Sequence, residues 1–483
     1  MVFTIKFSRN IFRARDILLL FLVFGMSSGL FAQERSKIKI RIKGAQDSVL
    51  YLAHYYGDKT YLDDTAYISK KGDFIFENDS LLPEGMYIVA GQENNRYFEF
   101  IMDKAQNFSI ETNKKDIPEG LKFKGSEINN LFYDYVRINA KNHREMKRLS
   151  DRKKGLGDGN DSIQILNEKI TGLNTELENY KQGFIETHPE SFISAMFKAM
   201  LEPGVDSIPI LENGREDSIY AYNYYKQHYW DNFDVSDDRL LRTPLFHNKL
   251  EKYFTKVLYQ TPDTIIKEAD IFINKTRPNK ETFKYTVWYL TFKFETSNIM
   301  GFDEIFVHMT DNYYATGEAF WADSSVVKSI VKHADALRPV LIGNKAPNLI
   351  LLDTNSSFTS LYGIDADYTI VFFYEYGCGH CKKEITAMKT WEQKTDLDFK
   401  IFAVCTDTNL VAWKKFIREK GMNWVNVNGT RSVTQDYHDL YNIQMTPSLF
   451  LLDRKKKIIA KRLKTEQLEP FLQNYEKRRQ LKE

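Results

Sequence analysis

Residues 368–384 carry the strongest structural signal in the chain and read YTIVFFYEYGCGHCKKE. The first seven residues, Tyr368–Tyr374, are almost continuously apolar or aromatic, as expected for a strand that is buried on both faces. A CGHC motif at residues 378–381 follows after a short turn and opens a predicted helix. A buried strand that leads into a helix indicates an α/β sheet in this part of the chain.

The two cysteines of the motif have the spacing of a redox pair. A cysteine in the first helical turn lies near the positive end of the helix dipole and near unpaired backbone amides, and both stabilise its thiolate. We therefore predict that the pKa of Cys378 is lowered and that Cys378 attacks a substrate disulfide. Cys381, one turn later, is predicted to resolve the mixed disulfide. His380 is predicted to stabilise the Cys378 thiolate further.

Other interpretations of the motif fit the sequence less well. A zinc site would use Cys378, His380 and Cys381, but no second ligand pair follows at a suitable spacing. Haem attachment would need a histidine after the second cysteine, and that residue is Lys382. A structural disulfide across so short a loop would contribute little stability. We therefore predict no metal and no cofactor.

The rest of the C-terminal part alternates strands with helices and ends with a hairpin and a helix, as in an α/β fold. The predicted elements are a helix at 378–394, a strand at 399–405, a helix at 410–420, a strand at 424–427, a short helix at 434–441, strands at 448–452 and 457–460, and a helix at 465–478. Cys405 closes one of these strands and has no partner in sequence, so we predict a small buried core residue.

From about residue 341 to the end, the chain resembles envelope thiol–disulfide oxidoreductases of the TlpA/ResA type, in the thioredoxin superfamily. The strand at 371–374 leads into the CxxC turn, and the run CKKE at 381–384 matches the family after its second cysteine. The tripeptide Met-Thr-Pro at 445–447 precedes a strand, as the family's cis-proline loop does. The separation of Cys378 from Pro447 is longer than in plain thioredoxin and fits the family's extra central element.

The resemblance implies a thioredoxin-like fold and roles for three more residues. Glu384 would be the active-site carboxylate that tunes thiol ionisation and moves protons; an ordinary exposed helix carboxylate is the alternative. Thr446 and Pro447 would help to hold the substrate chain, with Pro447 in a cis peptide bond. Position 372, where plain thioredoxin has a carboxylate, is phenylalanine.

The dipeptide between the cysteines departs from the usual reductase pattern. Gly379-His380 resembles the pair found in protein disulfide isomerases, for which potentials are about −180 mV against about −270 mV for thioredoxin. The motif therefore favours a more oxidising pair.

The N-terminal residues 1–32 have the pattern of a secretory signal. Four basic residues precede an uncharged run at 17–33, and the most apolar part of that run is too short to span a bilayer. Cleavage is expected between Ala32 and Gln33, with an uncleaved anchor as the alternative because Leu30 is large. The predicted location is the periplasm or cell envelope of a Gram-negative bacterium.

Residues 33–123 are predicted to form an antiparallel β sandwich. Lysine or arginine alternates with isoleucine at 37–43, as in a half-buried strand, and turn signals separate several of the runs. The further predicted strands are 49–56, 66–69, 74–77, 86–90, 97–102 and 108–112.

Residues 124–340 are predicted to be helical, before a thioredoxin-like domain at 341–483. One helix has an apolar seam that is expected to pack on the preceding helix, with a coiled-coil dimer as the alternative; the seam comprises Ile163, Leu166, Ile170, Leu173, Leu177, Tyr180 and Phe184. The aromatic segment 220–233 is interpreted as core, with sugar or peptide binding as the alternative. Both upstream regions are similar to uncharacterised segments that precede thioredoxin-like domains in Gram-negative envelope proteins.

The net charge and the number of cysteines argue against two classes of protein. A chain of 483 residues with a formal charge of +2 gives no electrostatic reason to expect a nucleic-acid partner, and three cysteines exclude a disulfide scaffold. The leading hypothesis is an exported oxidoreductase that reduces or isomerises disulfides in protein clients and is compatible with a membrane-linked electron donor. The alternatives are an envelope binding or scaffold protein with a vestigial redox domain, and a thiol peroxidase, whose Pro-xxx-Thr-xx-Cys setting is missing here.

Overall fold

The computed structural model describes three stretches of the chain, which are residues 35–156, 162–205 and 207–480. The predicted signal at 1–32, its cleavage position and the centre of the glycine-rich loop at 155–159 lie outside the described residues. Within the described stretches, no helix is both long and apolar enough to cross a membrane.

The chain divides into two compact units. The first contains the described residues up to Glu202 together with Arg239–His247, and the second contains Pro203–Asp238 and the described residues from Asn248 onward. The predicted helical region is therefore shared between the two units.

The first unit begins with two four-stranded sheets, in the orders β4-β1-β7-β8 and β3-β2-β5-β6. Phe100 of one sheet packs edge-on against Phe108 of the other, with ring centroids 5.7 Å apart, so the predicted sandwich is present. The strands are β1 (Ser36–Lys43), β2 (Val49–Tyr56), β3 (Lys59–Tyr67), β4 (Phe74–Asn78), β5 (Gly85–Ala90), β6 (Arg96–Met102), β7 (Asn107–Asn113) and β8 (Lys122–Lys124).

Two details of the predicted sandwich are wrong. β1 and β7 pair in parallel, while the other strand pairs of these sheets are antiparallel. The chain passes through the other sheet between β1 and β7, so no hairpin forces them to run in opposite directions. β3 spans Lys59–Tyr67 instead of 66–69, because an edge strand with many exposed residues lacks the apolar alternation that marks a half-buried strand.

Helices follow the sandwich in both units. They are α1 (Glu127–Lys154), α2 (Ser162–Thr187), α3 (Phe192–Met200), α4 (Ser218–His228), α5 (Asp238–Leu241), α6 (Pro244–Lys252), α7 (Pro262–Thr276), α8 (Lys280–Glu295), α9 (Asp303–Met309) and α10 (Ser324–Leu337). Single π-helical turns at Tyr253–Val257 and Thr310–Tyr314 extend α6 and α9.

The apolar seam of α2 packs within the chain, on α1. Leu166, Leu177 and Phe184 are buried, and Tyr180 stacks on Tyr135 of α1 with ring centroids 6.0 Å apart. The predicted packing of this seam on the preceding helix is therefore confirmed.

In the second unit, Tyr229, Trp230 and Phe233 are buried, so the end of the aromatic segment is core, as interpreted.

The C-terminal part of the second unit is a seven-stranded sheet in the order β10-β9-β13-β12-β11-β14-β15. Its strands are β9 (Ile350–Asp353), β10 (Phe358–Ser360), β11 (Tyr368–Tyr374), β12 (Phe399–Cys405), β13 (Val425–Ser432), β14 (Ser448–Asp453) and β15 (Ile458–Lys461). Its helices are α11 (Gly379–Glu392), α12 (Leu410–Lys420), α13 (Tyr437–Tyr441) and α14 (Thr465–Gln480).

The strand β11 lies at the centre of this sheet. It pairs in parallel with β12 and antiparallel with β14, and all seven of its residues are buried. Two apolar clusters cover the two faces of the sheet. The β9–β10 hairpin was not predicted, since its strands are only four and three residues long, and β13 extends to Ser432 instead of ending at 427.

Candidate active site

The CGHC motif lies at the carboxyl end of β11, where the chain turns into α11. Cys378 is the N-cap residue of α11, and its Sγ accepts a hydrogen bond from the backbone N–H of Cys381, with 3.4 Å between the sulfur and the nitrogen. An N-cap side chain normally accepts such a bond through an oxygen. Here the acceptor is a sulfur atom. A backbone amide of the predicted helix start therefore donates a hydrogen bond to the reactive sulfur itself.

The two thiols of the motif are in opposite environments. The amide of Cys381, and to a smaller extent that of His380, lowers the pKa of the partly exposed Cys378 thiol. Cys381 is fully buried, and burial raises the pKa of its thiol to about 12. Both cysteines are free thiols in the structure. One thiol is therefore suited to attack as a thiolate, and the other is held protonated beside it.

The predicted proline loop lies against the motif. The Thr446–Pro447 peptide bond is cis, as the resemblance implies. The Cys378 thiol points at the carbonyl oxygen of Thr446, 4.0 Å away. The backbone of this loop is thus placed where an extended client segment would lie beside the reactive sulfur.

Glu384 is placed one turn beyond Cys381 on α11 but contacts a different element. Its Oε2 accepts hydrogen bonds from the backbone N–H and the hydroxyl of Thr465, at 3.0 and 2.7 Å. In the described part of the chain it makes no hydrogen bond to either thiol of the motif. The geometry therefore gives Glu384 a role in holding the start of α14, and its proton-transfer role stays a prediction.

His380 is exposed, and its ring makes no hydrogen bond to Cys378 within the described residues. Its backbone amide contributes to the lowered pKa of the Cys378 thiol. The predicted stabilisation by the imidazole stays a prediction.

Behind the motif, Cys405 is a buried core residue, as predicted, and burial raises the pKa of its thiol to about 12. Its Sγ lies 3.7 Å from Oδ2 of Asp407, which also accepts a hydrogen bond from the backbone N–H of Tyr376 at 2.8 Å. Asp407 therefore holds the turn that precedes Cys378. Sequence reasoning missed this residue, although an acidic residue directly after the strand beside β11 was a usable signal.

The described residues contain no candidate metal site. Within residues 35–156, 162–205 and 207–480, no group of three or more histidine, cysteine, aspartate or glutamate side chains is arranged to hold a metal ion.

Known families match three parts of the chain. Residues 342–461 match the AhpC/TSA family, and residues 178–333 and 36–132 match two domains of unknown function, DUF5106 and DUF4369. Thiol-disulfide oxidoreductase ResA of Bacillus subtilis (strain 168) is 26% identical over 118 residues, which are 24% of this chain and 64% of that protein. The C-terminal domain is TlpA/ResA-like. The two upstream domains are additions to it.

Solved structures similar to this chain come from Cytophaga and Bacteroides species. A domain described as a possible thiol-disulfide isomerase from Cytophaga hutchinsonii ATCC 33406 is 38% identical, with 29% of this chain and 97% of that chain covered and a TM-score of 0.27. A thiol:disulfide interchange protein from Bacteroides sp. is 30% identical, with coverages of 28% and 89% and a TM-score of 0.25. A thioredoxin-like protein from Bacteroides caccae ATCC 43185 is 19% identical, with coverages of 56% and 99% and a TM-score of 0.43.

Proposed function

We propose that this chain is a thiol–disulfide oxidoreductase that reduces or isomerises disulfides in client proteins. The observation that carries the proposal is the pairing of an N-capping Cys378, with a lowered pKa, and a buried Cys381 beside the Thr446–Pro447 loop. An accessible thiolate next to a protected second thiol is the arrangement that two-step disulfide exchange requires.

The reaction balances with the residues present. The Cys378 thiolate attacks one sulfur of a client disulfide, that S–S bond breaks, and the departing client sulfur takes up a proton. Cys381 then loses its proton and attacks Cys378 in the mixed disulfide. The client leaves as a dithiol and the enzyme holds a Cys378–Cys381 disulfide. An external dithiol restores the enzyme in reduction, while isomerisation ends when another thiolate of the client attacks the client sulfur of the mixed disulfide, forms a new client disulfide and displaces the Cys378 thiolate.

Burial of Cys381 has a consequence for this sequence of steps. A thiol with a pKa of about 12 is almost fully protonated at neutral pH, so it does not compete with Cys378 for the client. Its attack needs a proton acceptor once the mixed disulfide has formed. Glu384 is the proposed acceptor, acting from its position on the same helix.

The test compares three serine variants. Cys378→Ser is expected to abolish reduction of insulin disulfides by dithiothreitol, and Cys381→Ser is expected to accumulate a mixed disulfide with the client. Cys405→Ser, which changes the thiol outside the motif, is the matched control and is expected to keep the wild-type rate. An unchanged rate in Cys378→Ser would contradict the proposal.

A peroxide assay separates this function from that of a thiol peroxidase. We expect the wild-type protein to consume no peroxide above background.

The direction of exchange depends on the reduction potential of the pair. We propose that His380 makes the Cys378–Cys381 disulfide more oxidising than that of a typical reductase. A potential near −180 mV would support isomerase work and a potential near −270 mV would support reductase work, measured by equilibration with glutathione. Replacing His380 with proline is expected to lower the potential.

We also propose that the protein acts in the periplasm or cell envelope, after residues 1–32 have directed its export. The basic N-terminal segment and the short apolar run support this location. A dithiol reductant on the outer side of the cytoplasmic membrane would then supply electrons.

A further inference from the structure

A groove with a volume of about 620 Å³, the client groove, lies beside the redox pair. Apolar side chains of the sheet and of the proline loop line it, among them Phe372, Met445 and Pro447. Met445 is 76% exposed although it is apolar. Met445 directly precedes Thr446, whose carbonyl oxygen faces the Cys378 thiol, so its exposed side chain is available to a chain bound at this loop.

One wall of the client groove comes from outside the TlpA/ResA-like domain. Asn298, in the loop between α8 and α9, lines the groove together with the residues of the sheet. The loop is held at the end of β15, because the backbone N–H of Lys461 contacts Sδ of Met300 at 3.4 Å. The Lys461 ammonium forms an ion pair with Asp303 and donates to the carbonyl oxygen of Val340 at 2.7 Å. A loop residue of the helical region thus forms part of the wall of the groove.

The groove has a surplus of positive charge. Lys383, Arg462 and Lys464 line it, and none of them has a carboxylate within 4 Å in the described part of the chain. Its two carboxylates are Glu384, which accepts two hydrogen bonds from Thr465, and Glu466, so the three cations exceed the carboxylates by one charge.

Arg462 also has an unusual backbone conformation. Its φ is +59°, in the left-handed region that residues other than glycine seldom adopt. Its backbone N–H donates to the carbonyl oxygen of Leu449 at 2.7 Å, which holds the residue at the edge of the groove. Such backbone geometry is found preferentially at functional sites.

We propose that the client groove binds protein segments in which acidic residues flank the cysteine that Cys378 attacks. Lys383, Arg462 and Lys464 are the specificity-determining residues, and Asn298 is a neutral wall that adds no carboxylate to the two already in the groove. This inference rests on the proposed oxidoreductase function and adds the chemical class of its substrate.

The test uses the full-length protein and three peptides that carry the same disulfide. The residues flanking one cysteine are glutamate in the first peptide, glutamine in the second and lysine in the third. We expect kcat/KM to fall in that order, with roughly threefold to tenfold between the first two. The preference is expected to disappear at 1 M NaCl, where the screening length is about 3 Å.

Substitutions in the client groove test whether its residues cause the preference for acidic peptides. Arg462→Asn combined with Lys464→Gln is expected to lower kcat/KM for the acidic peptide at least threefold and to reduce its advantage over the glutamine peptide. Asparagine is chosen at 462 because it tolerates a positive φ. Arg418→Gln, at an exposed cation on α12 that does not line the groove, is the matched control. Asn298→Asp is expected to weaken the acidic preference by adding a negative charge to the wall.

Two outcomes are distinguishable. Equal kcat/KM for the three peptides, or no effect of the double variant and of Asn298→Asp, would overturn the inference and leave the oxidoreductase function intact. Serine-substituted peptides, which cannot react, test binding alone by fluorescence anisotropy. Preferential binding of the acidic serine peptide by a protein that reduces none of the disulfides would support the inference and contradict the proposed function.

Discussion

At Cys378, the backbone contributes more to thiol chemistry than the neighbouring side chains do. The hydrogen bond from the amide of Cys381 is the largest cause of its lowered pKa, while the His380 ring makes no contact with the sulfur in the described structure. Because the donor is a main-chain group, the effect survives any side-chain change that leaves the helix start intact.

Alkylation at different pH values tests this explanation. In a Cys381→Ser variant that also carries Cys405→Ser, Cys378 keeps the amide donor, so we expect its reaction with iodoacetamide to reach half its maximal rate below the ordinary cysteine pKa of about 8.5. The thiolate is the reactive form, so the rate rises with pH through the lowered pKa. A midpoint at or above that value would contradict the assigned role of the amide.

At the scale of elements, Glu384 connects α11 with α14. It accepts two hydrogen bonds from Thr465, the first residue of α14, and so acts as a cap contributed by another helix. The sequence reasoning assigned it a proton-transfer role by resemblance, whereas the contacts add a structural role. The two roles predict different effects of the same substitution.

Paired variants separate these roles. Glu384→Ala removes the cap, and we expect the free energy of unfolding to fall by about 1 kcal/mol in urea denaturation. Glu384→Gln keeps an oxygen acceptor, so stability should change by less than about 0.5 kcal/mol. If the carboxylate moves protons, Glu384→Gln lengthens the lifetime of the mixed disulfide at constant pH. If the mixed disulfide of Glu384→Gln has the same lifetime as that of the wild type, the proton-transfer role is contradicted and only the capping role of Glu384 remains.

A second connection joins β15 to the helix α9. Lys461 is 5% exposed, and burial lowers the pKa of its ammonium while the ion pair with Asp303 favours the charged form. A buried pair of this kind is expensive to break, because the remaining charge is left in an apolar environment.

Substitution of one partner is therefore expected to be costly. Asp303→Asn should lower the free energy of unfolding by about 3–5 kcal/mol. Asp335→Asn, at an exposed partner of Arg338, is the control and should cost less than about 1 kcal/mol. The double variant Asp303→Leu with Lys461→Met should recover part of the loss. Equal small effects of Asp303→Asn and Asp335→Asn in urea denaturation would show that the buried pair contributes little.

At the scale of the whole molecule, three regions in sequence become two compact units in space. The predicted regions change at 123 and 340, and the elements change there too, since β8 ends at Lys124 and α10 ends at Leu337. The helices, however, are shared between the units. The proposed client groove includes Asn298, a loop residue of the helical region, which no reading of the last third of the chain would have selected.

Export is the prediction that belongs to this scale. We expect the protein to appear in the envelope fraction of a Gram-negative host, with Gln33 as its first residue when intact mass is measured. The short apolar run favours cleavage over a stable membrane anchor. A variant with Arg9, Arg13 and Arg15 replaced by glutamate is the control, and its export should slow. Retention of residues 1–32 in the exported protein would favour the anchor alternative.

Local patterns were enough to predict β11, the start of α11 and the position of Cys378 and Cys381 at that start, whereas the cis peptide bond at Pro447 was predicted from the family resemblance. Each depends on residues close together in sequence, on a continuous apolar run, on a helix dipole or on a short motif, and the structure agrees with the bounds of β11, β12 and α12. The short hairpin β9–β10 escaped prediction, and the edge strand β3 was predicted with wrong bounds, because few of their residues show a clear apolar period.

Tertiary structure was needed for everything that depends on distant residues meeting. The bond between Glu384 and Thr465, the support of the Cys378 turn by Asp407, and the wall that Asn298 adds to the client groove all join separate elements. The parallel pairing of β1 with β7 is of the same kind. Local periodicity records which face of an element is buried, but it carries no information about which other element covers that face.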